Sequence, residues 1–329
     1  MFVVCVFLLR SLWTYPIEHS DAIQKYFYAA EILRTGDWSI LLQNHHTMRW
    51  AAMLPQTGLT WLMGTRYEVF FLSPLLVFSL YLSLIVFSMR TVLNRSQQLL
   101  LWTILFCDPT ALLTSNEFFI TGLGITSVFA GILMLVSEDK TRFGNIIIAA
   151  ILFFIAYGAH VTYLSFAAGG FLWLIFFQKK PSKAIIFVAT ILMMMVLETL
   201  VFNYLSDWQL KLGRLEALAN GPHALRNLDN PSVTLAQLLS RWIDLPAPHL
   251  LLSLGFLTAG PWLIVQRRKG RPAPRIIECT FTVGLCFAIA VTFAVSSINP
   301  LRPVMPIALR YLFPFFPFAA IIFVYMMSV

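Results

Sequence analysis

"AIIFVATILMMMVLETLVFNY", residues 184–204, runs for 21 residues with a single ionisable side chain, Glu198. A helix rises 1.5 Å per residue, so about 20 apolar residues cross the hydrocarbon layer of a bilayer. This stretch is therefore read as a membrane span. Working outward from it, apolar runs at 2–13, 69–89, 98–113, 118–136, 145–159, 161–177, 249–265, 276–298 and 310–328 predict further helices, about ten spans in all. The runs 145–159 and 161–177 alternatively form one element bent around "YGAH", where Gly158 permits a turn. The expected fold is all-α, a polytopic transmembrane bundle in one domain, 1–329, with no separate soluble domain and no internal repeat.

Composition agrees. The chain is 59% hydrophobic and only 12% charged, against about 25% charged in soluble domains. A net charge of +8 would suggest nucleic acid in a soluble protein. That partner is rejected because the basic residues are dispersed between apolar runs, in "MRTVLNR" (89–95), "EDKTR" (138–142), "QKKPSK" (178–183) and "QRRKGRPAPR" (266–275). Short basic loops orient membrane proteins, and with the first helix running outward all four fall on the cytoplasmic side. The other face then receives loops 14–68 and 205–248 and the turns near 108–117 and 299–309. All six histidines (His19, His45, His46, His160, His223 and His249) fall at or near that face, and most acidic residues do too. "MFVVCVFLL" has no charged start and no small-residue cleavage site, so no signal peptide is expected. The run 2–13 is short for a span, which leaves either a short first helix or a start upstream. Cys5, Cys107, Cys279 and Cys286 lack metal-ligand spacing and are expected as small core residues without disulfides.

The first outer loop is too apolar to be disordered. In "HSDAIQKYFYAAEILRTGDW" (19–38), Ala22, Ile23, Tyr26, Phe27, Ala30 and Leu33 form one helical stripe, with Ser20 as N-cap and Gly36 as stop. Such a helix lies flat at the interface. A second short helix through "TMRWAAML" is expected to break at Pro55. Trp50 and Trp61 suit the headgroup level.

Several side chains can carry chemistry, each against a plainer reading. Asp21 sits in a first helical turn, where the helix dipole alone favours an acid. "QNHHTMRW" supplies His45, His46 and Arg49, for which interface packing is the default. "LLTSNEFFITG" supplies Asn116, a ready cap, and Glu117. "INPLRPVMPIALRYLFPFFP" supplies Arg302 and Arg310, which either snorkel or line a cavity beside irregular proline-rich backbone. Glu198 lies inside a span and is a functional candidate by default. It forms a second polar cluster with Arg214, His223 and His160, whose pairing is equally its structural explanation. Acids converging with Arg and His at one outer site suit a substrate with a lipid tail in the bilayer and a phosphate at its surface. Arginine forks match phosphate oxygens, and a carboxylate takes the proton of an acceptor hydroxyl.

Four motifs carry a family resemblance: "SDAIQKYFYAAEILRTGDW", "HHTMRWAAMLPQTGLTWLMG", "TSNEFFITG" and "ALRYLFPFFP". In order, spacing and sidedness the chain resembles the C-type glycosyltransferases (GT-C fold), in the branch of polyprenyl-phosphate-sugar transferases that includes protein O-mannosyltransferases and lipid A aminoarabinose transferases. The resemblance implies Asp21 as catalytic acid/base or orienting carboxylate, Glu117 as second acid and Arg310 as phosphate binder, with Arg302, His46 and Arg49 assisting. It implies a polyprenyl-phosphate-linked sugar donor, a lipid, glycan or protein acceptor, and an active face that is periplasmic, extracellular or luminal. No cofactor is required. A divalent metal between Asp21 and Glu117 stays an open alternative that ligand spacing does not support. The chain departs from the family where Ala22 follows Asp21, a position at which relatives often carry a second acid. It also stops at Val329, where many relatives continue, which leaves open a shortened copy or a partner subunit. A lipid-linked-sugar transporter or flippase, a non-catalytic envelope-assembly subunit and a polymer ligase of related membrane fold are the alternatives.

Overall fold

A computed structural model describes residues 20–42, 48–108, 118–137, 143–205, 233–240, 242–293, 295–298, 301–303 and 312–327. The helices are α1 (Ser20–Thr35), α2 (Trp50–Met63), α3 (Tyr67–Ser88), α4 (Arg95–Phe106), α5 (Phe118–Val136), α6 (Phe143–Ala159), α7 (Leu164–Leu172), α8 (Pro181–Leu205), α9 (Leu235–Ser240), α10 (Ala247–Arg268), α11 (Arg275–Thr292) and α12 (Phe316–Met326). Helices α8, α10 and α11 are long and apolar enough to cross a membrane. Five shorter apolar helical stretches, in α3, α5, α6, α7 with its flanking turns, and α12, accompany them. The predicted first helix, 2–13, lies outside the described residues.

The bundle is organised around α12. Its residues Phe316, Phe318, Ala319, Ala320, Ile321, Ile322 and Val324 are all essentially inaccessible, so a helix that is apolar all round is enclosed all round. Aromatic rings from several neighbours close on it. Phe318 stacks on Phe129 of α5 at 4.8 Å and on Phe166 of α7 at 5.1 Å. Phe166 stacks in turn on Phe287 of α11 at 4.4 Å, and Phe256 of α10 meets Phe281 and Phe315, each at 4.8 Å. Helix α8 is peripheral and presents Leu192, Met193, Val196, Leu197, Leu200 and Val201 outward, the composition of a lipid-facing surface.

Close helix approach comes from missing side chains. A Cβ on Gly169 of α7 would stand 2.5 Å from the Cα of Val283 and 2.9 Å from the carbonyl oxygen of Thr282 in α11. Backbone therefore rests on backbone there, the small-residue packing that holds helices together in lipid.

Five expectations are decided by the structure. First, residues 145–177 are separate helices, as the two runs predict, and not the alternative of one bent element, because His160 adopts extended backbone (φ −155°, ψ 130°) between α6 and the turn Val161–Tyr163. Second, Pro55 does not break α2, which runs through it to Met63. The helix keeps its backbone engaged locally, with Thr57 Oγ1 donating to the Met53 carbonyl and Thr60 Oγ1 to the Gln56 carbonyl, both at 2.8 Å. Third, the predicted span 276–298 stops as helix at Thr292. Val295–Ile298 instead pairs antiparallel with Leu301–Pro303, so the fold is helical apart from this hairpin. The sequence between the strands is Asn299-Pro300, a turn-favouring pair.

Fourth, α1 buries a different face from its apolar stripe. Lys25, Ala29 and Ile32 point inward, where Ala29 and Ile32 cluster with Ile40, Leu41 and Met53, while Phe27 is 62% exposed. An outward apolar stripe is what a helix lying flat at an interface presents to lipid. Small Ala29 lets α1 approach α2, which leaves the aromatic stripe for the surroundings. Gly36 does end the helix, at φ +71°. Fifth, Cys107 is exposed beyond the end of α4, whereas Cys279 is buried and Cys286 half-buried; all three are free thiols. Cys5 lies outside the described residues.

Two glycines give opposite expectations. Gly169→Ala should destabilise the bundle by about 1–3 kcal/mol through overpacking against fixed backbone. Gly58→Ala, in α2 with nothing within 4 Å of its added methyl, should stabilise by about 0.5–1 kcal/mol by removing backbone freedom. Thermal unfolding of both variants in detergent checks the pair; equal shifts would mean α7 and α11 do not meet so closely.

Candidate functional site

The start of α2, the end of α6 and the last third of α8 meet. Trp50 opens α2, and its indole Nε1 donates to Glu198 Oε1 of α8 at 2.6 Å. The Tyr157 hydroxyl of α6 is the second hydrogen-bond partner of that carboxylate. Trp50 can reach it because residue 158 is glycine: a Cβ there would lie 2.4 Å from Cζ2 of the indole. The Trp50 ring also packs on Phe154, centroids 5.5 Å apart. A membrane-embedded carboxylate thus receives two side-chain donors, which offsets the cost of its desolvation.

His160 follows one residue after α6. Its Nδ1 accepts the Thr162 backbone N–H at 3.4 Å and lies 2.7 Å from the Thr162 hydroxyl. An accepting Nδ1 is a neutral imidazole with its proton on Nε2. The electrostatics agree: burial first, then the positive charge of Arg49, pushes the His160 pKa down from 6.5 to about 3. Arg49 immediately precedes α2 and is half-buried. Arg49, Trp50, Tyr157, His160 and Glu198 are all half-buried, so the cluster is enclosed yet reachable.

The structure brings together residues that the sequence put in separate groups. Arg49 was grouped with the phosphate binders and Glu198 and His160 with a second polar cluster, yet one short stretch of α6 links all three. Arg214 and His223 of that second cluster lie outside the described residues, as do His46, Glu117 and Arg310. Asp21 falls in the first turn of α1 and Arg302 on the second strand of the hairpin; their side chains are outside the description. Trp50 and Tyr157 were missed. Trp50 had been read as a headgroup anchor, and it is instead half-buried under the cluster. A tryptophan next to an arginine and a tyrosine next to a glycine are the only local signals, and neither names a partner.

A second polar pair was also missed. Asp108, just past α4, meets His249 of α10, with Oδ1 and Nε2 3.2 Å apart and side chains 10% and 4% exposed. The His249 ring lies against Phe316 of α12, centroids 4.2 Å apart. The pair ties three elements at one end of the bundle. At another place Arg267 of α10 joins Glu278 of α11 at 3.0 Å and the Phe177 carbonyl at 2.7 Å. Both are enclosed contacts suited to fixing helix register. Among the described residues no group of three or more His, Cys, Asp or Glu could hold a metal ion; the Asp21–Glu117 pair considered for one is not within reach of that statement. Comparison with known protein families, curated proteins and solved structures returned no match.

The His160 environment predicts a pH dependence. Its folded-state pKa lies below the ordinary value, so the unfolded chain binds the proton more readily. The stability conferred by the neutral ring is complete above about pH 6.5 and is lost as pH falls from there towards 3. His160→Asn keeps a good N-cap and cannot titrate. Melting temperatures at pH 7 and pH 4.5 should therefore drop further in the natural chain than in His160→Asn; parallel drops would place the titration elsewhere.

Proposed function

We propose that this chain is a multi-pass membrane glycosyltransferase of GT-C type. It moves a sugar from a polyprenyl-phosphate donor to a hydroxyl acceptor at the end of the bundle that holds Arg49, His160 and Glu198. One observation carries the reading: a guanidinium, a neutral imidazole and a doubly hydrogen-bonded carboxylate, from segments far apart in sequence, meet half-exposed on an otherwise apolar bundle. Ionisable groups in such a setting are functional candidates. The four basic turns, assigned to the cytoplasmic side, make the cluster's end the non-cytoplasmic one.

In the proposed reaction the acceptor oxygen attacks the anomeric carbon and its proton passes to a carboxylate. The bond from that carbon to the donor's phosphate oxygen breaks, and polyprenyl phosphate leaves with the electron pair. The family resemblance assigns the proton to Asp21, with Glu117 as second acid. Arg310 grips the phosphate, and Arg49 adds positive charge beside it. Glu198, already held by Trp50 and Tyr157, orients sugar hydroxyls. Such preorganised charges act strongly in a partly dry site. A flippase for the same lipid is the second reading, and one feature favours it. Glu198 stands seven residues before the end of α8, about 10 Å below it, which is deep for a group that meets only the surface.

The assay is release of polyprenyl phosphate from lipid-linked sugars by the chain reconstituted in vesicles. Asp21→Asn should slow transfer by roughly 10²–10⁴. Arg49→Lys should slow it at least about tenfold, since the loss of a charge-assisted contact costs about 1.5–3 kcal/mol. Movement of the lipid-linked sugar between leaflets without release would establish the flippase instead. Sidedness is checked separately by cysteine labelling in cells. An impermeant reagent should reach Thr65→Cys and miss Gly270→Cys, and the reverse pattern would invert the orientation and remove the site from its substrate.

A further inference from the structure

A second cavity lies between α3 and α4, near the turn 89–94 that joins them. Its volume is about 840 Å³, within the range of pockets that enclose a drug-sized ligand. Leu80, Leu84 and Phe87 of α3 and Leu99 and Trp102 of α4 form its walls. Leu80, Phe87 and Leu99 are each more than half exposed, so the cavity is a groove open sideways and not a closed void. It is remote from the Asp108–His249 end: α4 has 12 residues and separates the two by about 18 Å.

Two polar features break the apolar lining. The first is Ser83. Two serines of α3 fold back onto their own backbone, Ser73 to the Val69 carbonyl and Ser88 to the Ile85 carbonyl, whereas Ser79 and Ser83 have no partner among the described residues. Ser83 Oγ is buried in the groove wall and has no hydrogen-bond partner among the described residues. A buried hydroxyl left so costs about 1–3 kcal/mol, which a ligand oxygen would recover. The second is Arg90, at the mouth. It is exposed, no carboxylate pairs with it among the described residues, and its guanidinium carbon sits 3.9 Å over the Phe87 ring. Phe87 lies four residues after Ser83 on α3, and Arg90 follows two residues past the helix end. Folded back over Phe87, the cation lines the same groove as Ser83.

We propose that this groove is a binding site for an anionic phospholipid of the surrounding bilayer. One acyl chain lies between Leu80, Leu84, Leu99 and Trp102, an ester oxygen accepts from Ser83 Oγ, and the phosphate rests on Arg90. Charge complementarity selects the headgroup: a zwitterionic lipid brings its own cation to a rim that already carries Arg90. The reading is independent of the proposed transferase activity, because it needs only a bilayer around α3 and α4.

The test uses the full chain in phosphatidylcholine vesicles doped with lipid brominated on its acyl chains, which quenches nearby tryptophan. Brominated phosphatidylglycerol should quench more than brominated phosphatidylcholine at equal content, and the excess should disappear in Trp102→Phe. Arg90→Gln should shift half-maximal excess quenching to about tenfold more phosphatidylglycerol, while circular dichroism and melting temperature stay unchanged. Ser83→Ala should shift it severalfold in the same direction. Equal quenching by the two lipids, or an excess that survives Trp102→Phe, would overturn the proposal. Displacement of the quencher by polyprenyl phosphate but not by unlabelled phosphatidylglycerol would also overturn it, by naming a different occupant.

Discussion

Everything in this bundle is arranged to enclose one helix. In lipid there is no hydrophobic gain from pressing two apolar helices together, since the tails are as apolar as leucine. What remains is close contact, and α12 is the place where contact is complete. Rings from α5, α7, α10 and α11 are stacked to reach it. They reach it because α7 gives up a side chain at Gly169 and lets α11 lie against its backbone. The peripheral helices then carry the burden of solubility in the bilayer, which is why α8 is so thinly covered by its neighbours.

A core of this kind has no room for charge, and the polar contacts are displaced accordingly. Asp108, just past the end of α4, meets His249 in the first turn of α10, whose ring lies against Phe316. Arg267 and Glu278 meet beside the turn that joins α10 and α11. Glu198 is the departure, because it stands seven residues inside a helix long and apolar enough to span, whereas His249, Arg267 and Glu278 lie in the end turns of α10 and α11. It is tolerated because Trp50 and Tyr157 satisfy it, and Trp50 reaches it across the gap left by Gly158. Structural economy alone would place leucine at that position of α8.

Most of the apolar helices were legible in the sequence as apolar runs with Pro, Gly or basic residues between, three of them long and apolar enough to span. What escaped was set by neighbours. The phase of α1 depends on Ala29 fitting against α2, which no property of α1 reveals. Pro55 was read as a break because local rules forbid it, yet α2 runs through it to Met63. The hairpin after α11 is apolar enough to extend a span on paper, and its β-branched residues and Asn-Pro pair were the overlooked sign. Of the site, Arg49, His160 and Glu198 were each singled out, for different reasons and in different groups. Their union lives in the packing of α2 on α6, and residue types along a chain do not encode which helix ends will touch.

The position of α12 in the chain has a consequence for biogenesis. Its partners α4, α5, α7, α10 and α11 all precede it in the sequence, and chains are made from the N-terminus at about 5–20 residues per second. For some seconds, therefore, those helices reside in the membrane around a seam with nothing to fill it. Their facing aromatics are then covered only by lipid, or by whatever protein attends insertion. α12 then meets partners that are already made, and an error in their packing leaves it with no place to go.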